Sequence, residues 1–205
     1  QAVAGKFRNA GQTCVCPNRF LVQDGVYEAF TAKLTSLVEE VKVGHGLDAG
    51  VTCGPLITQA ACDKVAAQVE EAVGKGAKAV TGGKIKERNF YEPTVLTNVT
   101  PDMRCFWEET FGPVAPICSF KTEEEAIALA NDSSSGLAAY VFTKDIGRAW
   151  RVSEGLEAGL VGVNEGVIST ATMPFGGVKE SGLGREGSDV GLDEYLEIKY
   201  ICMGF

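Results

Sequence analysis

Strand-like and helix-like segments alternate through most of this chain, and that alternation restricts the fold more than any single residue does. Val114–Phe120 is a short apolar run of strand character, and Thr122 follows with Glu123, Glu124 and Glu125 behind it. A hydroxyl N-cap with an acidic first turn predicts a helix from there to about Asn131. Leu137–Thr143 then reads as a strand, Asp145–Gly155 as a helix and Gly159–Asn164 as a strand. The first half behaves likewise. Arg19–Gln23 reads as a strand, and Asp24 as the N-cap of a helix over 25–41 with Val26, Phe30, Leu34, Leu37, Val38 and Val41 at helical spacing. A second amphipathic helix is expected over 58–74, with strands at Ala77–Thr81 and Tyr91–Val99. This order predicts an α/β fold, a mainly parallel twisted sheet flanked by helices.

With 205 residues the chain has room for one domain with a sizeable core. A net charge of −8 and the lack of any basic stripe exclude a nucleic-acid footprint. No apolar run approaches the roughly 20 residues of a membrane helix, so no membrane partner is expected. Seven cysteines at 14, 16, 53, 62, 105, 118 and 202 are odd in number and scattered. They read as free thiols in a reducing compartment, the cytoplasm or the mitochondrial matrix. No metal site is expected, because no Cys or His pair has ligand spacing and His45 stands alone between glycines. Residues 2–10 have helical composition with Gly11 as a stop, and Gln1 already looks like helix interior, so the chain is expected to be part of a longer protein.

The segment Phe7-Arg8-Asn9-Ala10-Gly11-Gln12-Thr13-Cys14-Val15-Cys16 concentrates the chemistry. A thiolate attacks an aldehyde carbonyl, and an unassisted thiol is only ~3% thiolate at pH 7, so Cys14 needs help from its surroundings. In an unbroken helix Arg8 would lie about 9 Å from Cys14 and roughly 120° around the axis. The break at Gly11 lets both face one cavity. A guanidinium holds a carboxylate through two parallel hydrogen bonds, which makes Arg8 a candidate for the far end of a carboxylated aldehyde. If the segment is extended, the Cys14 and Cys16 Cα atoms lie about 6.6 Å apart with side chains on one side, near the upper limit for a disulfide. Such a bond would be strained and easily reduced, so Cys16 is either a redox partner or an inert thiol.

Gly11-Gln12-Thr13-Cys14 resembles the nucleophile segment of the aldehyde dehydrogenase superfamily, and the longer string around it resembles the superfamily's succinate-semialdehyde branch. Two further motifs occur in the family's order. Glu108-Glu109-Thr110-Phe111-Gly112-Pro113 is similar to its E-E-x-F-G-P, which implies that Glu109 binds the nicotinamide ribose and Phe111 flanks the ring. On residue chemistry alone that stretch is a solvated acid pair before a turn. Pro174 to Glu186 resembles the C-terminal signature. Inside it, Gly182 to Gly187 matches G-x-G-x-x-G, but a loop precedes it and too little chain follows for a dinucleotide-binding βαβ unit of ~30 residues.

The resemblance implies more. Asn164 to Ser169 is similar to the branch's substrate loop, so Ser169 would donate to the carboxylate that Arg8 holds, and Phe175 would wall the pocket. The fold would be the catalytic domain over 1–194, with 195–205 as an oligomerisation strand joining a homodimer or homotetramer. The cofactor-binding domain, general base, oxyanion asparagine and a second substrate arginine would lie upstream. NAD or NADP would take hydride from a Cys14 thiohemiacetal, and water would release the acid from the thioester. Two readings stay open beside oxidation of succinate semialdehyde: a longer semialdehyde such as glutarate semialdehyde, and a non-catalytic thiol protein of the same fold.

Overall fold

The computed structural model describes residues 1–205. Its main sheet has four strands in the order β1 (Phe20–Gln23), β6 (Val114–Phe120), β5 (Thr94–Thr97) and β2 (Lys78–Thr81). The β1–β6 and β6–β5 pairs are parallel, with Phe20 opposite Ile117 and Thr94 opposite Val114. The β2 edge is antiparallel and bulged between Ala79 and Thr81. All of β5 and most of β6 is buried, as expected of parallel strands covered on both faces.

Two cores sit on the two faces of this sheet, and the period-2 alternation of strand side chains divides them. Val95, Ala115 and Ile117 point to one side, where Leu34 and Val38 of α2 (Tyr27–Glu39) and Phe7 of α1 (Ala2–Phe7) cover them. Leu96, Val114 and Cys118 point to the other, against Cys62, Val65, Val69 and Ala72 of α3 (Gln59–Gly74) and against Cys105 and Phe106 of α4 (Arg104–Trp107). Thr58 caps α3 by accepting the Ala61 N–H, and Thr122 caps α5 (Glu123–Asn131) through the Glu125 N–H. A βαβ unit follows: β8 (Ala138–Val141), α6 (Ile146–Gly155) capped by Asp145, and β9 (Leu160–Val163) parallel to β8. Two short antiparallel pairs complete the strands, β3 (Ile85–Glu87) with β4 (Phe90–Tyr91) and β7 (Ser135–Gly136) with β10 (Val178–Lys179). No helix is long and apolar enough to cross a membrane.

Several sequence expectations need correction. The first helix stops at Phe7, because Asn9, Ala10 and Gly11 take left-handed φ of 51°, 55° and 75°. Asp24 does not cap α2. Residues 24–26 form a 3-10 turn whose own carbonyl, that of Asp24, accepts the Tyr27 N–H. The expected strand over Tyr91–Val99 is broken at Glu92-Pro93, where proline has no N–H for a ladder, and its two halves join different sheets. The tail is a separate matter, because the strand expected over 195–205 is one that pairs with another copy: within one chain a 3-10 turn over Val190–Tyr195 leads into irregular, exposed residues to Phe205.

Candidate active site

The nucleophile segment runs around the end of the sheet. Phe7 packs in the core on the α2 side and Ala10 in the core on the α3 side, so the three left-handed residues carry the chain from one face to the other. Gly11 makes this passage possible: a β-carbon there would overlap the Gly112 carbonyl, just ahead of β6. Gln12 braces the turn against a distant loop. Its side chain donates to the Pro55 carbonyl at 3.3 Å and accepts the Ile57 N–H at 2.8 Å.

Thr13–Cys16 is a turn closed by the Cys16 N–H on the Thr13 carbonyl at 3.0 Å, so the extended geometry expected for the two thiols is not what forms. Cys14 is exposed on this turn, with both neighbouring threonine and valine turned inward. Cys16 is half-buried and its thiol donates to the Lys6 carbonyl at 3.3 Å. Burial pushes the Cys16 pKa up, and the Lys6 and Arg8 cations oppose that. Both thiols are free.

Three residues that no sequence motif singled out hold this turn. Lys6 is 1% exposed; burial pushes its pKa down, while Cys16 and Glu109 partly offset that. Tyr140 of β8 donates its hydroxyl to the Val15 carbonyl at 2.6 Å. Burial raises the Tyr140 phenol to about 12, with Cys16, Arg8 and Cys14 all near enough to contribute. Asn18, the third, bonds the segment that carries Glu109. The partners of Asn18 and Tyr140 are 87 to 125 residues away in sequence, so only the fold reveals them.

Arg8 follows α1 directly, is exposed, and takes part in no ion pair. Its guanidinium is free for an external anion. Ser169 and Phe175 line a cleft of about 320 Å³ with Met173 and Glu186, and neither Arg8 nor Cys14 lines it. The Ser169 loop nevertheless touches α1 closely: a β-carbon on Gly5 would sit 2.9 Å from the Gly166 carbonyl oxygen, and the Gln1 side chain accepts the Gly166 N–H at 3.2 Å. A larger hollow of about 440 Å³ around Asp24, Tyr27 and Glu28 holds no nucleophile and none of the candidate residues.

Glu108 and Glu109 have different surroundings. Glu108 is tied to Arg104 at 2.8 Å, whereas Glu109 is exposed and has no hydrogen-bond or ion-pair partner. Phe111, 38% exposed, stands beside it in a left-handed conformation with φ 49°. Glu109 thus offers a free carboxylate, able to accept from two adjacent hydroxyls, two residues before an exposed aromatic ring.

The chain is similar to known proteins in sequence and in fold. The model of the aldehyde dehydrogenase family matches residues 1–201. The chain is 60% identical to mitochondrial succinate-semialdehyde dehydrogenase of Oryza sativa over 99% of its own length and 39% of that protein. It is 56% identical to the crystal structure of succinate-semialdehyde dehydrogenase from Burkholderia pseudomallei, with a TM-score of 0.97 over 98% of this chain and 42% of that one. Betaine aldehyde dehydrogenase from Staphylococcus aureus, solved in complex with NAD+, is 43% identical with a TM-score of 0.90 over 95% of this chain and 40% of that one. The chain thus spans about two-fifths of the length of these relatives. Over nearly its whole length, in sequence and in fold, it belongs to the aldehyde dehydrogenase family.

Proposed function

We propose that the full-length protein is an NAD(P)-dependent dehydrogenase that oxidises succinate semialdehyde to succinate. In this reading residues 1–194 form its catalytic domain and 195–205 pair across a subunit interface in a homodimer or homotetramer. The observation that carries the reading is an exposed thiol on a fixed turn, Cys14, with the unpaired guanidinium of Arg8 just ahead of the left-handed passage that leads into that turn. Relatives named succinate-semialdehyde dehydrogenase at 57–60% identity support it.

Arg8 pairs with the substrate carboxylate, with Ser169 donating to the same group and Phe175 walling the chain. The Cys14 thiolate adds to the aldehyde carbon, and the Cys14 backbone N–H stabilises the oxyanion of the thiohemiacetal. Nicotinamide, held through its ribose on Glu109 and flanked by Phe111, is the hydride acceptor that this chemistry requires. Water then cleaves the Cys14 thioester and frees succinate and the thiol. Cys16 is the proposed reversible partner of Cys14. A peroxide would oxidise the Cys14 thiolate to a sulfenic acid, itself being reduced at the O–O bond to water or an alcohol. The sulfenic acid would then condense with the Cys16 thiol, releasing water and forming a disulfide.

Steady-state kinetics of two variants of the full-length enzyme test the assignment. Cys14→Ala should abolish oxidation and leave cofactor binding intact. Arg8→Ala should lower kcat/KM for succinate semialdehyde by roughly 10- to 150-fold, the worth of a lost charge-assisted pair, and change butyraldehyde much less. Residual turnover in Cys14→Ala above a few per cent would move the nucleophile elsewhere. An equal loss for both aldehydes would make Arg8 structural.

A further inference from the structure

Glu109 has no side-chain partner, yet the backbone on both sides of it is pinned by one residue just beyond the Phe7–Cys16 segment. The Asn18 side chain donates to the Glu108 carbonyl at 3.1 Å and, more weakly, to the Cys105 carbonyl at 3.4 Å. Its oxygen accepts the Thr110 N–H at 2.9 Å. An amide is suited to this task because it offers a donor and an acceptor side by side, matching a carbonyl and an N–H two residues apart. Thr110 is buried and its hydroxyl has no partner, so the bond to Asn18 is the only side-chain tie on that residue.

The two segments also meet at Gly11 and Gly112, whose backbones are too close for any side chain between them. Cys14 therefore lies between two attachments to the Glu108–Gly112 strip, one at Gly11 and one at Asn18.

We propose that Asn18 is a positioning residue for the cofactor: it fixes the Glu108–Thr110 backbone so that the Glu109 carboxylate is held at a set place relative to Cys14. This rests on the reading of Glu109 as the ribose ligand. Free, exposed carboxylates lose several rotamers and some backbone freedom on binding a diol, and Asn18 removes the backbone share of that cost in advance.

A double-mutant cycle on the full-length enzyme tests this, with the dissociation constant of NADH or NADPH read from nicotinamide fluorescence. Asn18→Ala is expected to weaken cofactor binding about 5- to 50-fold, the worth of one or two hydrogen bonds. Glu109→Gln should weaken it by at least as much. In the Glu109→Gln background Asn18→Ala should add little, because its route to the cofactor is gone. The rate of Cys14 alkylation by iodoacetamide without cofactor should stay close to wild type, because the turn keeps its own closing hydrogen bond and its ties through Tyr140 and Gln12. The thermal midpoint should fall by only a few degrees. Multiplicative effects of the two substitutions overturn the proposal, as does a loss of cofactor affinity that only tracks a fall in thermal midpoint. If Glu109→Gln alone leaves the constant unchanged, the ribose assignment has failed and this inference goes with it. Should Asn18→Ala not fold, Asn18→Asp keeps the acceptor for the Thr110 N–H and takes its place in the cycle, where non-additivity again supports the proposal and multiplicative effects again overturn it.

Discussion

Cys14 and Cys16 are two positions apart and differ in what surrounds the sulfur. Cys14 projects from the turn into solvent, while Cys16 points back toward α1 and donates a hydrogen bond to the Lys6 carbonyl. Burial holds the Cys16 thiol above its ordinary range, so it stays protonated at mildly alkaline pH. The sign is that of an acid whose ionised form is disfavoured in the folded chain, and its thiolate fraction grows only as pH climbs beyond the usual thiol value of about 8.5. Iodoacetamide at pH 8 should therefore modify Cys14 well before Cys16, as peptide mass spectrometry would show. In the full-length enzyme, peroxide inactivation should be reversed by dithiothreitol, and Cys16→Ser should recover less completely. Equal alkylation rates would mean that burial does not govern Cys16; equal recovery would retire it as a redox partner.

The α1–turn–β1 stretch is the element on which the chemistry depends, and its most sensitive position is Gly11. Alanine there meets both a left-handed φ of 75° and the Gly112 carbonyl. The first costs about 1–2 kcal/mol and the second about 1–3 kcal/mol, so Gly11→Ala should lower unfolding free energy by roughly 2–5 kcal/mol in urea titrations. Gly25→Ala is the control, since nothing lies within 4 Å of its added carbon. A loss below about 1 kcal/mol at Gly11 would show that the turn relaxes freely. The elements most legible in the sequence were α3, α5 and α6, where a threonine or aspartate cap stood at the head of a periodic run. β6 was equally plain as an apolar run of the right length. Boundaries failed where backbone conformation overrode composition: Ala10 is a strong helix former whose left-handed φ nothing local signals, and only Asn9, a residue type that tolerates that region, hints at the break before Gly11. Cys14 and Arg8, the proposed nucleophile and carboxylate ligand, stood out as candidates because they share one short segment. Lys6, Asn18 and Tyr140 were not, because their roles depend on neighbours that only the folded sheet brings close.

At the scale of the whole molecule, the tail is the part without a home. Leu196, Ile198, Tyr200, Ile201 and Phe205 each have two-thirds or more of their surface in solvent, with no element packed against them. Apolar chain of this kind with unpaired backbone tends to pair with another copy. The 205-residue chain should therefore self-associate at micromolar concentration, and removal of residues from Tyr195 onward should shift it toward monomer; static light scattering decides. A clean monomer for the intact chain would count against the tail as an interface. The interior offers a different kind of readout. Cys53, Cys62 and Cys105 are wholly enclosed in the core between α3, α4 and the sheet, and burial pushes the Cys53 and Cys105 thiols up to about 11. A thiol reagent reaches them only when that face comes apart, so the three sulfurs act as clocks already wound into the native chain. Matching times would show that the face opens as one unit, and staggered times would give the order in which helix and sheet part company.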